Sequence, residues 1–123
     1  LFRASRMAAA VGVITGLSGL TAVAAGAYGA HGLDNPTDYQ KKVWERATTY
    51  QLAHTGAALA VASRGSSKLA LGAGALFLTG NALFSGSLYA LVLTGDSQFA
   101  RVAPYGGGCY MLGWIAVAAA AAL

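Results

Sequence analysis

The chain has 123 residues, of which 56% are hydrophobic and only 10% charged, against roughly 25% charged in a soluble domain. Polar groups are too scarce to cover a soluble surface and the apolar residues run in long blocks, which excludes a soluble fold and indicates one integral membrane domain over residues 1–123. The net charge of +4 comes from Lys and Arg scattered over helix ends and loops, with no basic stripe interleaved with aromatics; this argues against nucleic acid and for membrane flanks.

The opening "LFRASRMAAA" lacks an initiator methionine, and Arg3, Ser5 and Arg6 stand without a nearby acid. Such a stretch suits the tail of a mitochondrial transit peptide or an ordinary basic flank. From Met7 to Ala30 no charge occurs, and about 36 Å of helix at that length crosses a bilayer core with some tilt. "HGLDNPTDYQKKVWER" then breaks the apolar run. Asn35 is expected to cap a second helix with Pro36 at its first position. Its amphipathic first turns, with Tyr39 and Trp44 among the charges, belong at the membrane interface, and the helix goes on as a second span over 47–63. "RGSSK" is a short turn that makes spans two and three a hairpin. The third span covers 69–94, "GDSQFAR" is a loop, and Pro104 opens the fourth span, 104–123. The expected fold is all-α: a four-helix transmembrane bundle, up-down-up-down, with both ends on one side.

Lys and Arg do not orient the bundle. Arg3, Arg6, Arg64 and Lys68 fall on the side of the termini, and Lys41, Lys42, Arg46 and Arg101 on the other. All the acids lie on the second side, which tips the reading slightly towards termini inside. Cys109 is the only cysteine, so no internal disulfide forms, and it reads as a small apolar residue.

Helices in lipid associate through close packing and hydrogen bonds. The 17 glycines supply the first, including the GxxxG pair Gly12 and Gly16, later glycines such as Gly80 and Gly113, and the cluster Gly106–Gly108, read as a helix-contact surface. No phosphate-binding loop is present among them. For the second, folding spans two and three about residue 66 levels Gln51 with Asn81, Thr48 with Ser85 and Trp44 with Tyr89. Gln51, His54 and Thr55 share one helical face. Thr48, Gln51, His54, Asn81, Ser85 and Tyr89 therefore form a candidate polar seam, which sets register more than it adds stability.

His54 is ionisable at membrane depth, which makes it a functional candidate. It reads first as a hydrogen-bonded packing residue, then as a contact to a lipid, quinone or partner, then as a ligand or proton carrier. A bis-histidine haem would need His31 at the same depth, but His31 lies near the interface, where it caps a helix end. No acid or thiol lies deep in a span to complete a metal site. Ser85 and Ser87 have no acid for a triad, and paired carboxylates for acid–base work are missing. No catalytic residue, cofactor or metal is expected. His31, Trp44, Gly107 and Trp114 are candidate lipid or partner contacts.

"GAYGAHGL" at 26–33, "WERATTYQLAH" at 44–54, "LFSGSLYALVLTG" at 83–95 and "PYGGGCYMLGW" at 104–114 together resemble the four signatures of the domain-of-unknown-function 423 family, whose animal branch is called transmembrane protein 256. The matched positions include Gly29, His31, Gly32, Trp44, Gln51, His54, Ser85, Gly86, Tyr89, Gly107 and Trp114. The resemblance implies a small four-helix membrane protein, of bacterial plasma membranes and, in eukaryotes, of mitochondria, and brings no established activity. The resulting expectation is a non-enzymatic accessory subunit, with membrane lipids and a larger inner-membrane complex, such as one of the respiratory chain, as its partners. The mitochondrial inner membrane is favoured, with the bacterial plasma membrane as alternative. The rival expectation is a carrier or channel for a small solute or proton along Gln51, His54 and Asn81.

Overall fold

The computed structural model describes residues 2–64 and 67–123, the side chains of residues 2–5 excepted. The chain's first residue and the tip of the "RGSSK" turn, residues 65–66, lie outside the described residues. Among the described residues every regular element is helical: α1 (Phe2–His31), α2 (Asp38–Ala62), α3 (Lys68–Gly80), α4 (Gly86–Thr94) and α5 (Ala103–Ala122). A π-helical turn, Asn81–Ser85, joins α3 to α4, and a 3₁₀ turn, Ser97–Arg101, precedes α5.

The helix boundaries have local causes. Thr37, not Asn35, caps α2: its hydroxyl accepts from Gln40 N–H at 3.1 Å, and the Gln40 side chain accepts from Thr37 N–H at 2.9 Å. Asn35 cannot take that role because its φ is +42°, whereas a cap residue needs extended backbone. Pro36 thus lies before the helix rather than in its first turn. Ser67 caps α3 through Ala70 N–H at 3.1 Å. Gly95, at φ +71°, stops α4 and donates its N–H to Leu91, a left-handed ending that glycine adopts without a Cβ penalty. Pro104 occupies the first turn of α5, where a missing N–H costs no hydrogen bond.

Among the described residues three stretches are long and apolar enough to cross a membrane: Arg6–His31, Lys68–Thr94 and Ser97–Ala122. α2 is not among them, because Asp38, Lys41, Lys42, Glu45 and Arg46 crowd its first turns. Outward faces carry Val13, Ile14, Leu17, Leu20 and Val23 on α1, and Met111, Leu112 and Ile115 on α5. A belt of exposed aliphatics of this kind fits lipid, not water.

The helices meet in opposed registers. Trp44, Gln51 and Thr55 of α2 bond to Ala25, Thr21 and Ser18 of α1, descending as α2 climbs. Across to the α3–α4 rod, Thr55 meets Asn81 and Ala47 meets Ser85. Between that rod and α5, Phe77 lies on Gly113, Gly80 on Tyr110, and Phe84 on Gly106. The buried centre is small: Ala58, Val61, Ala73, Phe77 and Tyr110 form one cluster, and Val43, Ala47, Leu88 and Ala103 another. Close approach needs glycine at Gly106, where a Cβ would collide with the Phe84 backbone. Gly12 and Gly16 depart from expectation. Both are exposed, and a Cβ added at either would meet none of the described residues within 4 Å, so among these residues the GxxxG pair makes no close helix contact.

Candidate functional site

The polar seam is centred on Asn81, at the start of the π turn. Its side-chain amide donates to Ser18 Oγ of α1 at 3.0 Å and to Thr55 Oγ1 of α2 at 3.1 Å. Its carbonyl oxygen accepts from the Tyr110 phenol of α5 at 2.7 Å. One residue of the α3–α4 rod thus bonds to all three other helices.

Gln51 forms a second node. Its amide donates to the Ser18 carbonyl and to Thr21 Oγ1, both at 2.9 Å, and its oxygen accepts from the Tyr89 phenol at 2.7 Å. Thr55 Oγ1 donates to the Gln51 carbonyl at 2.6 Å. That commits its only hydrogen, so in the 2.8 Å contact between them Ser18 Oγ donates and Thr55 accepts. Both amide hydrogens of Asn81 and of Gln51 are used. Among the described residues no buried side-chain polar atom lacks a partner.

The π turn aligns this face. Eight residues of α-helix rotate about 80° past two full turns, which would carry Tyr89 off the line of Asn81. An i→i+5 turn rotates less per residue. With Gly86 N–H bonded to the Asn81 carbonyl, Asn81, Ser85 and Tyr89 all stay turned toward α2. Ser85 Oγ donates to the Ala47 carbonyl at 2.7 Å, and Tyr89 packs tilted against Trp44 with ring centroids 4.7 Å apart.

Matching the fold-back expectation, Trp44 lies beside Tyr89, with ring centroids 4.7 Å apart, and Ser85 is bonded to Ala47, next to Thr48; the departure is at Gln51 and Asn81. Asn81 meets Thr55, one turn from Gln51, while Gln51 reaches Tyr89. Thr48 does not meet Ser85; its hydroxyl donates to Glu45 of its own helix at 3.0 Å. The hairpin picture treated two spans alone, but α1 packs on the same face of α2 and takes Gln51's amide. Ser18, Thr21 and Tyr110 were not singled out from sequence. The signals existed: Ser18 and Thr21 are an i, i+3 polar pair inside an apolar span, and Tyr110 lies at i+4 from Gly106 and i−4 from Trp114.

His54 is buried beside this network in an aromatic box. Its ring stacks on Tyr110 with centroids 3.7 Å apart, and Phe77 and Trp114 approach at 5.5 and 5.8 Å. Trp114 Nε1–H donates to His54 Nε2 at 3.0 Å, and His54 Nδ1 lies 2.8 Å from the Tyr50 carbonyl. Indole nitrogen is a donor only, so Nε2 accepts and Nδ1 carries the hydrogen that goes to Tyr50. His54 is therefore a neutral imidazole in one tautomer, with both nitrogens engaged. Ligating a metal or relaying a proton would first require breaking the Trp114 bond. Among the described residues no three His, Cys, Asp or Glu side chains lie close enough to hold a metal ion.

Of the other candidates only His31 lies apart from the seam and His54. His31 ends α1, exposed. Trp44 is turned inward rather than to lipid: it is 5% exposed, covers Gly29 and donates to the Ala25 carbonyl at 2.8 Å. Gly107 and the half-exposed Trp114 line a cavity of about 500 Å³ between α2 and α5, with Tyr50, His54 and Tyr110.

The profile of a family described as "Protein of unknown function (DUF423)" matches residues 25–107. That segment contains Gln51, His54, Asn81, Ser85 and Tyr89, whereas Ser18, Thr21, Tyr110 and Trp114 lie beyond it. A UPF0382 membrane protein of Staphylococcus aureus is 42% identical over 82 residues, covering 64% of this chain and 66% of the relative. A UPF0382 membrane protein of Staphylococcus epidermidis is 38% identical over 85 residues, covering 67% and 69% respectively. One from Haemophilus influenzae is 38% identical over 90 residues, covering 71% and 73%. No solved structure matches the chain. With its membrane-length apolar helices and this matched segment, the chain belongs to the DUF423 family of membrane proteins of unknown function.

Proposed function

We propose that the chain is a non-enzymatic multi-pass membrane protein that serves as a structural subunit, packing its outer faces against other membrane proteins. In this reading α2 is a fourth crossing. Its charged start lies in the headgroup region and its apolar half from Ala47 onward lies in the core, which makes an up-down-up-down bundle of one domain. The opposed registers of successive helices support that arrangement.

The observation that carries the reading is the closure of the seam. Gln51 and Asn81 spend their donors and acceptors inside the chain, and His54 has no nitrogen to spare. A carrier path along Gln51, His54 and Asn81 would need these groups free to exchange partners with a solute or proton. The outward Gly12 and Gly16 support a helix-packing role, since small residues let a neighbouring helix approach in lipid.

The bacterial relatives support a plasma-membrane location. They lend no support to the mitochondrial expectation or to the respiratory chain, so the proposal stops at a membrane-protein assembly. Extraction of native membranes in mild detergent followed by native electrophoresis tests it. The expected result is a particle well above the 12.3 kDa of the chain that contains other proteins. A free monomer with no co-purifying protein would overturn the reading.

A further inference from the structure

The cavity between α2 and α5 does not end at Trp114. A second cavity of about 270 Å³ adjoins it there and continues past Ala57, Ala60 and Val61 to Arg64. On α2 the lining residues follow one another by helical steps, Tyr50, His54, Ala57, Val61 and Arg64, so the two cavities lie end to end along α2 with Trp114 lining both, and we treat them as one trough. From Tyr50 to Arg64 it runs about 21 Å, more than half of a hydrocarbon core of about 30 Å. Its α2 floor is low because Ala53, Ala57 and Ala60 offer only methyl groups.

The mouth of this trough is cationic. Arg64 is exposed just past the end of α2. Lys68 opens α3 at the same end, also exposed. All four acids, Asp34, Asp38, Glu45 and Asp96, lie toward the opposite end, in the α1–α2 loop, the first turns of α2 and the turn after α4. An apolar trough of acyl-chain length with an acid-free guanidinium at its mouth matches one class of molecule. We infer that it binds an anionic phospholipid, with the phosphate at Arg64 and one acyl chain laid along α2 and α5 past Trp114. Guanidinium forks pair with phosphate oxygens in a bidentate manner. The trough opens to the bilayer, so a lipid enters sideways without unfolding the chain. The inference does not depend on the structural-subunit reading, since a lone chain would bind the lipid equally well.

Trp114 lines both cavities and reports on the acyl chain directly. The purified full chain in dodecyl maltoside micelles is titrated with phosphatidylglycerol brominated along its acyl chains, or with the matching phosphatidylcholine, and tryptophan fluorescence is followed. The expected result is saturable quenching at lower mole fraction for phosphatidylglycerol, and its loss in Trp114→Phe, which separates Trp114 from the buried Trp44. Arg64→Gln should weaken the phosphatidylglycerol response about fivefold, toward the phosphatidylcholine curve, while Lys41→Gln at the other end leaves it unchanged. Ala57→Leu with Ala60→Leu, which fills the trough and keeps Arg64, should abolish the quenching. Equal curves for the two lipids on the wild-type chain, or an unchanged curve in Arg64→Gln, would overturn the inference. So would absence of quenching by either lipid, the result expected if a helix of a second copy fills the trough.

Discussion

Asn81 ties its own rod to α1, α2 and α5 with hydrogen bonds of 3.0, 3.1 and 2.7 Å, and its loss would strand groups on each. Hydrogen bonds between membrane helices contribute roughly 0.6–2 kcal/mol apiece, because unassembled helices also find partners. Asn81→Leu should therefore cost about 2–4 kcal/mol, read as a lowered thermal midpoint in detergent. Thr79→Ala removes only a bond to its own helix at an exposed site and should change stability by no more than about 0.5 kcal/mol. Equal midpoints for the two variants would refute the central place given to Asn81. His54 offers a second residue-scale test. At neutral pH ¹⁵N NMR should find its hydrogen on Nδ1 alone, and Trp114→Phe should leave it there, since the Tyr50 carbonyl still accepts it, while the Nε2 resonance shifts on losing its hydrogen bond. A wild-type chain with the hydrogen on Nε2 would contradict the hydrogen bond from Trp114.

At the scale of elements, the long helices were legible because uncharged runs of membrane length leave few alternatives. The π turn was not. Nothing in "NALFS" announces an i→i+5 bond, and its benefit lies in where it aims Ser85 and Tyr89. Inserting one alanine after Ala82 should swing those residues about 100° off α2, whereas deleting Ala82 leaves seven α-helical steps to Tyr89, about 20° short of two full turns, and keeps them turned toward it. The insertion variant should melt below both wild type and the deletion, and an insertion midpoint at or above wild type would contradict this role. The contact role of the Gly106–Gly108 cluster was legible, but not which glycine bears it. Gly106→Ala forces a Cβ into the Phe84 backbone, whereas at Gly107 it meets open space. The first should cost about 1–3 kcal/mol and the second almost nothing, by the same thermal assay. The seam's existence could be read from sequence, because polar residues in lipid need partners. Its membership could not, because depth-matching within one hairpin omits Ser18 and Thr21 of α1 and Tyr110 of α5, which complete it.

For the whole molecule, polar groups join the chain to itself and small or aliphatic groups face outward. Opposite uses of glycine mark the two surfaces: Gly106 and Gly113 close the inside, while Gly12 and Gly16 stay bare. This division predicts no solute path, so proteoliposomes should show equal proton flux with wild type, with His54→Ala and with no protein. A flux that wild type supports and His54→Ala loses would restore the carrier reading. The claim that the bare face meets another membrane protein is tested most directly by Gly12→Leu with Gly16→Leu, compared with wild type for co-purifying proteins from native membranes and for thermal midpoint. Wild type should bring down a partner, and the variant should lose it with its midpoint unchanged. A variant that keeps the partner, or a midpoint that falls with these substitutions, would contradict it.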